Sequence, residues 1–217
     1  MTEKIELNAT SEEYARYFPG ARFSPPEALR SSVPGETVQI VHMHGAGVLD
    51  AEAVWGFVPQ WRLHADNPIY YAAGATITKK WMCSVAFRNW RCIVPASSFA
   101  YLRKIDGVTM RYELSRTGGG LLLLAGIFEP SPPQSGGKAP TVALVTTTPN
   151  RKLAPHGLHV PLILSQKQIM SWLRCRKNPL AAKGLIRPPG ADELRLTVSV
   201  EPTADIGNQV QADLELA

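Results

Sequence analysis

The segment Leu121–Phe128 constrains the fold most strongly, because each of its eight residues is apolar or glycine. A short run with no polar face predicts a central strand that is buried on both sides. Four other short segments have strand character and are expected to form further strands of the sheet. These predicted strands are Val38–Met43, Ala53–Val58, Thr141–Thr147 and Leu194–Val200.

Turn and cap signals place the remaining elements. Asp106-Gly107 separates the strand-like segments Ile93–Leu102 and Val108–Leu114, which predicts a hairpin. Thr10 with Glu13 and Ser165 with Gln168 are capping boxes, and they predict a helix over residues 11 to 18 and another ending near Arg174. Many short antiparallel segments with few helices predict an α+β fold on a bent sheet.

Length and composition predict one domain over residues 1–217, since 217 residues at 45% hydrophobic content suffice for one core. The chain has no apolar run long enough for a membrane span and no signal peptide at Met1–Lys4, so we expect a cytoplasmic protein. Three cysteines without C-x-x-C spacing favour neither disulfides nor zinc. His42 and His44 could reach one metal from a strand but have no third ligand nearby in sequence, so neither metal nor cofactor is expected.

Basic residues are concentrated in the middle of the chain. All 23 Lys and Arg lie within residues 1–200, against 14 of the 18 acidic residues. Between Trp61 and Lys104, seven cations are interleaved with tryptophans, and Asp66 is the sole acidic residue. This pattern suits a polyanion with exposed bases, which lie on flat rings while cations hold the phosphates. It equally suits a solvated basic face with the tryptophans in the core.

Four sequence pieces occur in a specific order and spacing. They are Trp55–Trp61 (WGFVPQW), Arg91–Ala96 (RCIVPA), Leu153–Pro155 (LAP) and Val160–Leu164 (VPLIL). Together they resemble the SOS-response-associated peptidase (SRAP) family, whose members grip single-stranded DNA and bond covalently to abasic sites. The resemblance covers nearly the whole chain. It implies a single SRAP-like domain with a curved, mostly antiparallel sheet approaching a small barrel, a few short helices around it, and a groove for single-stranded DNA.

The resemblance also locates the reactive positions of the family. A cysteine that follows the removed initiator methionine supplies the amine and the thiol for a thiazolidine ring, and the matching residue here is Thr2. The family's proton-shuttling glutamate falls on Tyr101. The segment that supplies Asn, Arg and Glu in the family falls on residues 71–76, which contain none of them.

The family's histidine falls on Gly157, with His156 beside it and His159 at the position of the family's arginine. A shift by one residue could bring either histidine to the reactive site. Several general acid and base groups are replaced at once, and each typically contributes about 100- to 10,000-fold to a rate. The sequence therefore predicts that Thr2, Tyr101, His156 and His159 stand at or next to reactive positions that are inactive.

The resulting hypothesis is a SRAP-like protein that binds single-stranded or abasic-site DNA without cross-linking to it. Trp61 is the predicted stacking residue, His159 is expected to line the groove, and the expected phosphate contacts are Lys4, Arg62, Arg88 and Arg91. Two alternatives stay open. The first is an active cross-linker or autopeptidase that uses Thr2 with His156 or His159. The second is a protein-interaction module that has lost DNA binding.

Overall fold

Two β-sheets form the centre of the chain, with short helices around them. The structure is a computed structural model that describes residues 2–21, 29–61, 67–131, 139–174, 179–190 and 192–201. The strands are β1 (Thr2–Leu7), β2 (Arg30–Ser32), β3 (Thr37–His44), β4 (Gly47–Trp55), β5 (Tyr71–Ala73), β6 (Arg91–Ala96), β7 (Ser98–Ile105), β8 (Val108–Arg116), β9 (Leu122–Glu129), β10 (Thr141–Thr147), β11 (Val160–Pro161), β12 (Ile163–Leu164) and β13 (Leu194–Val200). The helices are α1 (Ser11–Tyr17), α2 (Trp81–Asn89), α3 (Ile169–Leu173) and α4 (Pro179–Gly184), and short 3-10 turns occupy Ala154–His156 and Gln166–Gln168.

The strand pairings give a five-stranded sheet and a larger, curved sheet. The first is antiparallel with the order β13-β8-β7-β1-β2. The second has the order β11-β10-β4-β3-β6-β9-β12, and β5 pairs with β10. Because β9 also pairs with β10, this sheet bends back on itself. The predicted α+β fold with a curved, mostly antiparallel sheet is confirmed, and the two parallel pairings are β10 with β4 and β10 with β5.

Strand β9 is the central strand that the apolar segment predicts. Its alternate residues Leu123, Ala125 and Ile127 pack into one buried cluster, and Leu122 and Leu124 pack into a second cluster on the other face. Successive side chains of a strand point to opposite faces. A strand between two hydrophobic layers therefore needs apolar residues at every position, as this segment has.

Local signals fix the ends of several elements. The Thr10 hydroxyl accepts a hydrogen bond from the Glu13 amide at 3.1 Å, so α1 begins where the capping box predicts. The Ser165–Gln168 capping box is also formed, although it opens the 3-10 turn before α3. Asp106 and Gly107 both have positive φ, 49° and 85°, which matches the two-residue turn of a tight hairpin between β7 and β8.

Other boundaries differ from the predicted ones. Strand β4 ends at Trp55 instead of continuing to Val58, because Gly56 adopts a φ of 155° and Phe57 then pairs with Ile69 in an isolated bridge. The predicted strand Ile93–Leu102 is two strands, β6 and β7, which belong to different sheets. Strand β1 and helix α2 have no counterpart among the predictions. Helix α2 has no side-chain cap at Lys80, so the usual start signal is missing from its sequence.

Candidate nucleic-acid-binding site

Two stacked tryptophans stand on the surface of the protein. The rings of Trp61 and Trp81 have centroids 4.1 Å apart and planes inclined by 26°. Their exposed fractions are 51% and 63%, which is high for large apolar side chains. The alternative that Trp61 belongs to the core is therefore wrong. Two parallel indoles in water present flat apolar faces on which an unstacked base could lie.

Exposed cations precede and follow Trp81 along the chain. Lys79 and Lys80 are exposed and immediately precede α2, which starts with Trp81. Arg88 is exposed in the last turn of α2, on the same side of the helix as Trp81 and the exposed Val85, since these residues are spaced four and three apart. Lysines at a helix N-terminus add to the positive end of its dipole. The sequence from 67 to 105 contains no Asp or Glu, so no nearby acidic residue of that stretch neutralises them.

A second group of polar side chains lies where β1, β5 and β7 meet. Glu3 on β1 pairs in register with Tyr101 on β7, so both side chains are on the same face of the sheet. Glu3 is only 8% exposed. The His159 ring lies parallel to the Tyr71 ring, with centroids 6.4 Å apart and an interplanar angle of 14°. The Tyr101 hydroxyl donates a hydrogen bond to the His159 carbonyl oxygen.

Burial sets the electrostatics of this group. It raises the pKa of the Glu3 carboxyl, while the nearby His159 ring and Tyr71 hydroxyl lower that pKa by smaller amounts. Burial, together with the Glu3 charge, raises the pKa of Tyr71, and the same causes raise the pKa of Tyr101. The Tyr71 hydroxyl is buried beside the Glu3 carboxyl, and hydrogen bonding between the two groups also contributes to the raised pKa of Tyr71.

A cavity of about 360 Å³ adjoins this group. His159 and Ala73, which lies two residues after Tyr71, both line it. Gly74 lies so close to β10 that a Cβ there would meet the Thr146 carbonyl oxygen at 2.6 Å, which explains the glycine. The other lining residues are small, hydroxylated or aliphatic: Ala75, Thr146, Thr147, Thr148, Pro149, Leu158 and Ile186.

Of the four predicted reactive positions, the structure brings Tyr101 and His159 together. His156 is separate, since its ring packs on Tyr112 with centroids 5.5 Å apart and it does not line the cavity. Gly157 adopts the left-handed conformation with a φ of 58°, so a histidine there would be strained. Of the two histidines that the sequence leaves open, His159 is thus the one beside the cavity.

Thr2 and Lys4 lie on the other face of β1. Thr2 is exposed and pairs with Leu102, and strand alternation directs its side chain away from Glu3. The Lys4 ammonium is 2.6 Å from the Glu201 carboxylate. That ion pair belongs to a network in which Arg111 contacts Glu6, Glu113 and Glu201. The predicted phosphate contact of Lys4 is therefore in competition with an acidic partner.

The predicted phosphate contact of Arg91 is wrong. Its side chain is fully buried, and its guanidinium donates hydrogen bonds to the carbonyl oxygens of Phe87, Trp172 and Arg174 at 2.6, 2.6 and 2.9 Å. The guanidinium also lies over the rings of Phe87 and Trp172. Arg91 is a core residue that joins β6 to α2 and α3. The predicted contact Arg62 lies outside the described residues, as does Cys175.

Two residues of the candidate site, Trp81 and Glu3, were not predicted from the sequence. Trp81 was visible as one of several tryptophans, but its spacing to Val85 and Arg88 indicates an exposed face only once α2 is known. Glu3 had a usable signal, because Ile5 and Leu7 define the inward positions of β1 and residue 3 shares their parity. A carboxylate on the apolar side of a strand is typical of a functional position.

The described ranges contain neither a candidate metal site nor a helix that could span a membrane. Residues 2–21, 29–61, 67–131, 139–174, 179–190 and 192–201 contain no group of three or more His, Cys, Asp or Glu that could hold a metal ion. Over those same ranges, no helix has the length and apolar character to cross a membrane.

The curved α+β fold occurs in solved structures. A protein from Bacteroides thetaiotaomicron superimposes with a TM-score of 0.74 at 18% sequence identity, covering 92% of each chain. A protein from Bordetella bronchiseptica gives a TM-score of 0.73 at 17% identity, covering 94% of this chain and 100% of that one. At these identities the likeness shows a shared fold.

The sequence itself identifies the family. The sequence profile of the SOS response associated peptidase (SRAP) family matches residues 1–203. The chain belongs to this family. It is 26% identical over 187 residues to the abasic site processing protein YoaM of Bacillus subtilis (strain 168), covering 82% of this chain and 79% of YoaM. It is 26% identical over 169 residues to the abasic site processing protein YoqW of the same strain, covering 74% of each.

Proposed function

We propose that this SRAP protein binds single-stranded DNA, including DNA with abasic sites, through the surface around Trp61 and Trp81. The observation that carries the proposal is the exposed, mutually stacked indole pair, together with the exposed cations Lys79 and Lys80 before α2 and Arg88 within it. Flat rings accept bases of any sequence, and cations attract the backbone. Double-stranded DNA would not use the rings, because its bases are already stacked.

We further propose that the protein does not form the family's covalent bond with the abasic sugar. Thr2 carries a hydroxyl, which needs an adjacent base to become a nucleophile. Of the candidate bases, His159 lines the cavity and Glu3 lies near His159, on the other side of β1 from the Thr2 side chain. The names of the abasic site processing relatives support a damaged-DNA ligand, and the separation of Thr2 from these groups supports binding without cross-linking.

The first experiment measures binding to a labelled single-stranded oligonucleotide by fluorescence anisotropy at low salt. Trp61→Ala and Trp81→Ala should each weaken binding by about 1 to 3 kcal/mol, since each removes a stacking surface. Leu49→Ala is the matched control, because Leu49 is an exposed apolar residue on β4 and its removal should leave affinity unchanged. Thermal melting of all three variants checks that the fold is kept.

A wild-type protein that fails to bind single strands at low salt would contradict the proposal. The exposed indoles would then favour the remaining alternative, a surface for a protein partner.

A further inference from the structure

Strand β13 lies at the edge of the five-stranded sheet. Among the residues that the structure describes, it pairs with β8 on one side and with no strand on the other. Its seven residues keep one continuous register with β8, and they include neither proline nor glycine. Edge strands usually carry charged residues, proline or a bulge that prevents pairing with another chain. Of these features β13 has a single charged residue, Arg195, so its edge can accept a further strand.

The hydrogen bonds at the two ends of β13 show which backbone groups face outward. The Glu201 amide donates to the Thr109 carbonyl oxygen at 2.8 Å, and the Glu193 carbonyl oxygen accepts from the Thr117 amide at 3.1 Å. In an antiparallel pair, alternate residues of a strand bond to the same neighbour. The odd-numbered residues of β13 are therefore bonded to β8. The even-numbered residues from 194 to 200 direct their amides and carbonyls to the outer edge.

The side chains of the even-numbered residues form an apolar row that is half covered. Leu194 is buried, and Leu196 packs against the same core cluster. Val198 and Val200 continue the row but are 46% and 59% exposed. An apolar strand placed beside β13 would cover these two valines.

The opposite face of β13 has unbalanced charges at its two ends. Arg195 is exposed and belongs to none of the ion pairs found in the described ranges. Glu201 belongs to the ion-pair network of Lys4 and Arg111, which contains three carboxylates and two cations. This network is one positive charge short. Because residues 195 and 201 have the same parity, both side chains lie on this face of the strand.

We propose that β13 pairs with β13 of a second copy of this chain, antiparallel and about a two-fold axis at Val198. In this register Val198 faces its own copy, Leu196 faces Val200, and Arg195 faces Glu201. The outward amides and carbonyls of the two strands then match, and the exposed valines gain apolar neighbours. Each copy also supplies the cation that the acidic network of the other copy lacks.

The charges select this register among the symmetric ones. An axis at Thr197 would place Arg195 opposite Ser199, and an axis at Arg195 would bring two guanidiniums together. Like charges directly opposite each other destabilise a sheet, and opposite charges stabilise it.

The dimer contact is separate from the surface around Trp61 and Trp81. Helix α2 packs on β6 and β9, which belong to the other sheet. Each copy would therefore keep its own DNA-binding surface, and the inference does not depend on the proposed function.

Sedimentation velocity of the full chain tests the association without DNA. Over about 1 µM to 1 mM, the wild-type protein should change from monomer to dimer. Val198→Lys should remain monomeric, because two ammonium groups would meet at the axis. Leu49→Lys is the matched control, since Leu49 is 43% exposed on the other sheet, and it should dimerise as the wild type does.

The ion pair is tested by changing its cation. Arg195→Glu should raise the dissociation constant of the dimer by about 10-fold or more, because two symmetric attractions become repulsions. Arg195→Lys should keep most of the affinity, and added salt should weaken the wild-type dimer.

Single cysteines test the register independently of affinity. With a mild oxidant, Val198→Cys should form a disulfide-linked dimer, since directly opposite residues that exchange hydrogen bonds have Cα atoms about 5.5 Å apart. Thr197→Cys is the control one residue away, and it should give little product because its two copies would be diagonal, about 7 to 8 Å apart. The wild-type protein, with its native cysteines, gives the background on non-reducing electrophoresis.

Three results would overturn the proposal. A wild-type protein that stays monomeric at about 1 mM would leave the edge to a different protein. A dimer that survives Val198→Lys would use another surface. Stronger cross-linking of Thr197→Cys than of Val198→Cys would exclude the axis at Val198.

Discussion

Thr2 and Glu3 are neighbours in sequence, but the alternation of β1 directs their side chains to opposite faces. This geometry decides which chemistry each can support. Glu3 reaches the buried group around Tyr101 and His159, whereas the side chain of Thr2 is exposed on the side of Lys4. The replacement of the family's glutamate by Tyr101 therefore does not remove every carboxyl from this region, because Glu3 stands opposite Tyr101 in register.

The identity of residue 2 predicts the outcome of a cross-linking assay. Incubated with an oligonucleotide that carries a natural abasic site, the wild-type protein should give no adduct that survives denaturing electrophoresis. Thr2→Cys should give a slow adduct, because an amine with a pKa of about 8 and an ionisable thiol on one residue react with an aldehyde unaided. Thr2→Ser is the control and should give none. Intact mass must show that Met1 has been removed from all three proteins.

An adduct from the wild-type protein, formed as fast as that of Thr2→Cys, would contradict this prediction. It would point instead to Thr2 acting with His159 as its base.

Single residues were harder to predict from sequence than their surroundings. Arg91 lies in a segment rich in cations and aromatics, and the same composition describes a DNA-binding surface and a guanidinium buried between Phe87 and Trp172. Only the tertiary packing of α2 and α3 on β6 separates the two cases. Trp61, the predicted stacking residue, is exposed, but its partner Trp81 is 20 positions away, and no local pattern predicts that contact.

At the scale of elements, periodicity and cap chemistry were sufficient where they were strong. The apolar run of β9, the caps of α1 and of the turn before α3, and the Asp106-Gly107 hairpin all follow from local rules. Helix α2 has no cap and carries an exposed Trp81 and Val85, so its pattern does not resemble an amphipathic helix. The exposed apolar side chains that make α2 hard to predict from the sequence also give it an aromatic and cationic surface.

Arg91 predicts how strongly β6, α2 and α3 depend on one another. Arg91→Met should lower the free energy of unfolding by about 3 to 5 kcal/mol, because it leaves the carbonyl oxygens of Phe87, Trp172 and Arg174 without their donor. Arg88→Met is the control in the same region, and as an exposed substitution it should stay within about 0.5 kcal/mol of the wild type. Chemical denaturation measures both. A loss below about 1 kcal/mol for Arg91→Met would mean that these bonds do not brace the elements.

At the scale of the whole molecule, acidic and basic residues are unevenly distributed. The acidic residues Glu6, Glu113 and Glu201 gather with Lys4 and Arg111 on the sheet that contains β1 and β8. The cations before and within α2 have no acidic residue near them in sequence. A net charge of +5 for the full chain therefore understates the positive charge of the segment that contains α2.

This asymmetry predicts the salt dependence of DNA binding. If Lys79, Lys80 and Arg88 each neutralise one phosphate, the logarithm of the binding constant should fall against the logarithm of salt concentration with a slope of about −2, since each contact with a single strand contributes about −0.7. Removing two of the three charges in Lys79→Gln/Lys80→Gln should leave a slope of about −0.7. The control Lys167→Gln/Arg195→Gln removes the same charge from exposed positions elsewhere and should keep the wild-type slope. Equal slopes for the two double variants would mean that DNA responds to the total charge of the molecule, and the surface around Trp61 and Trp81 would lose its special role.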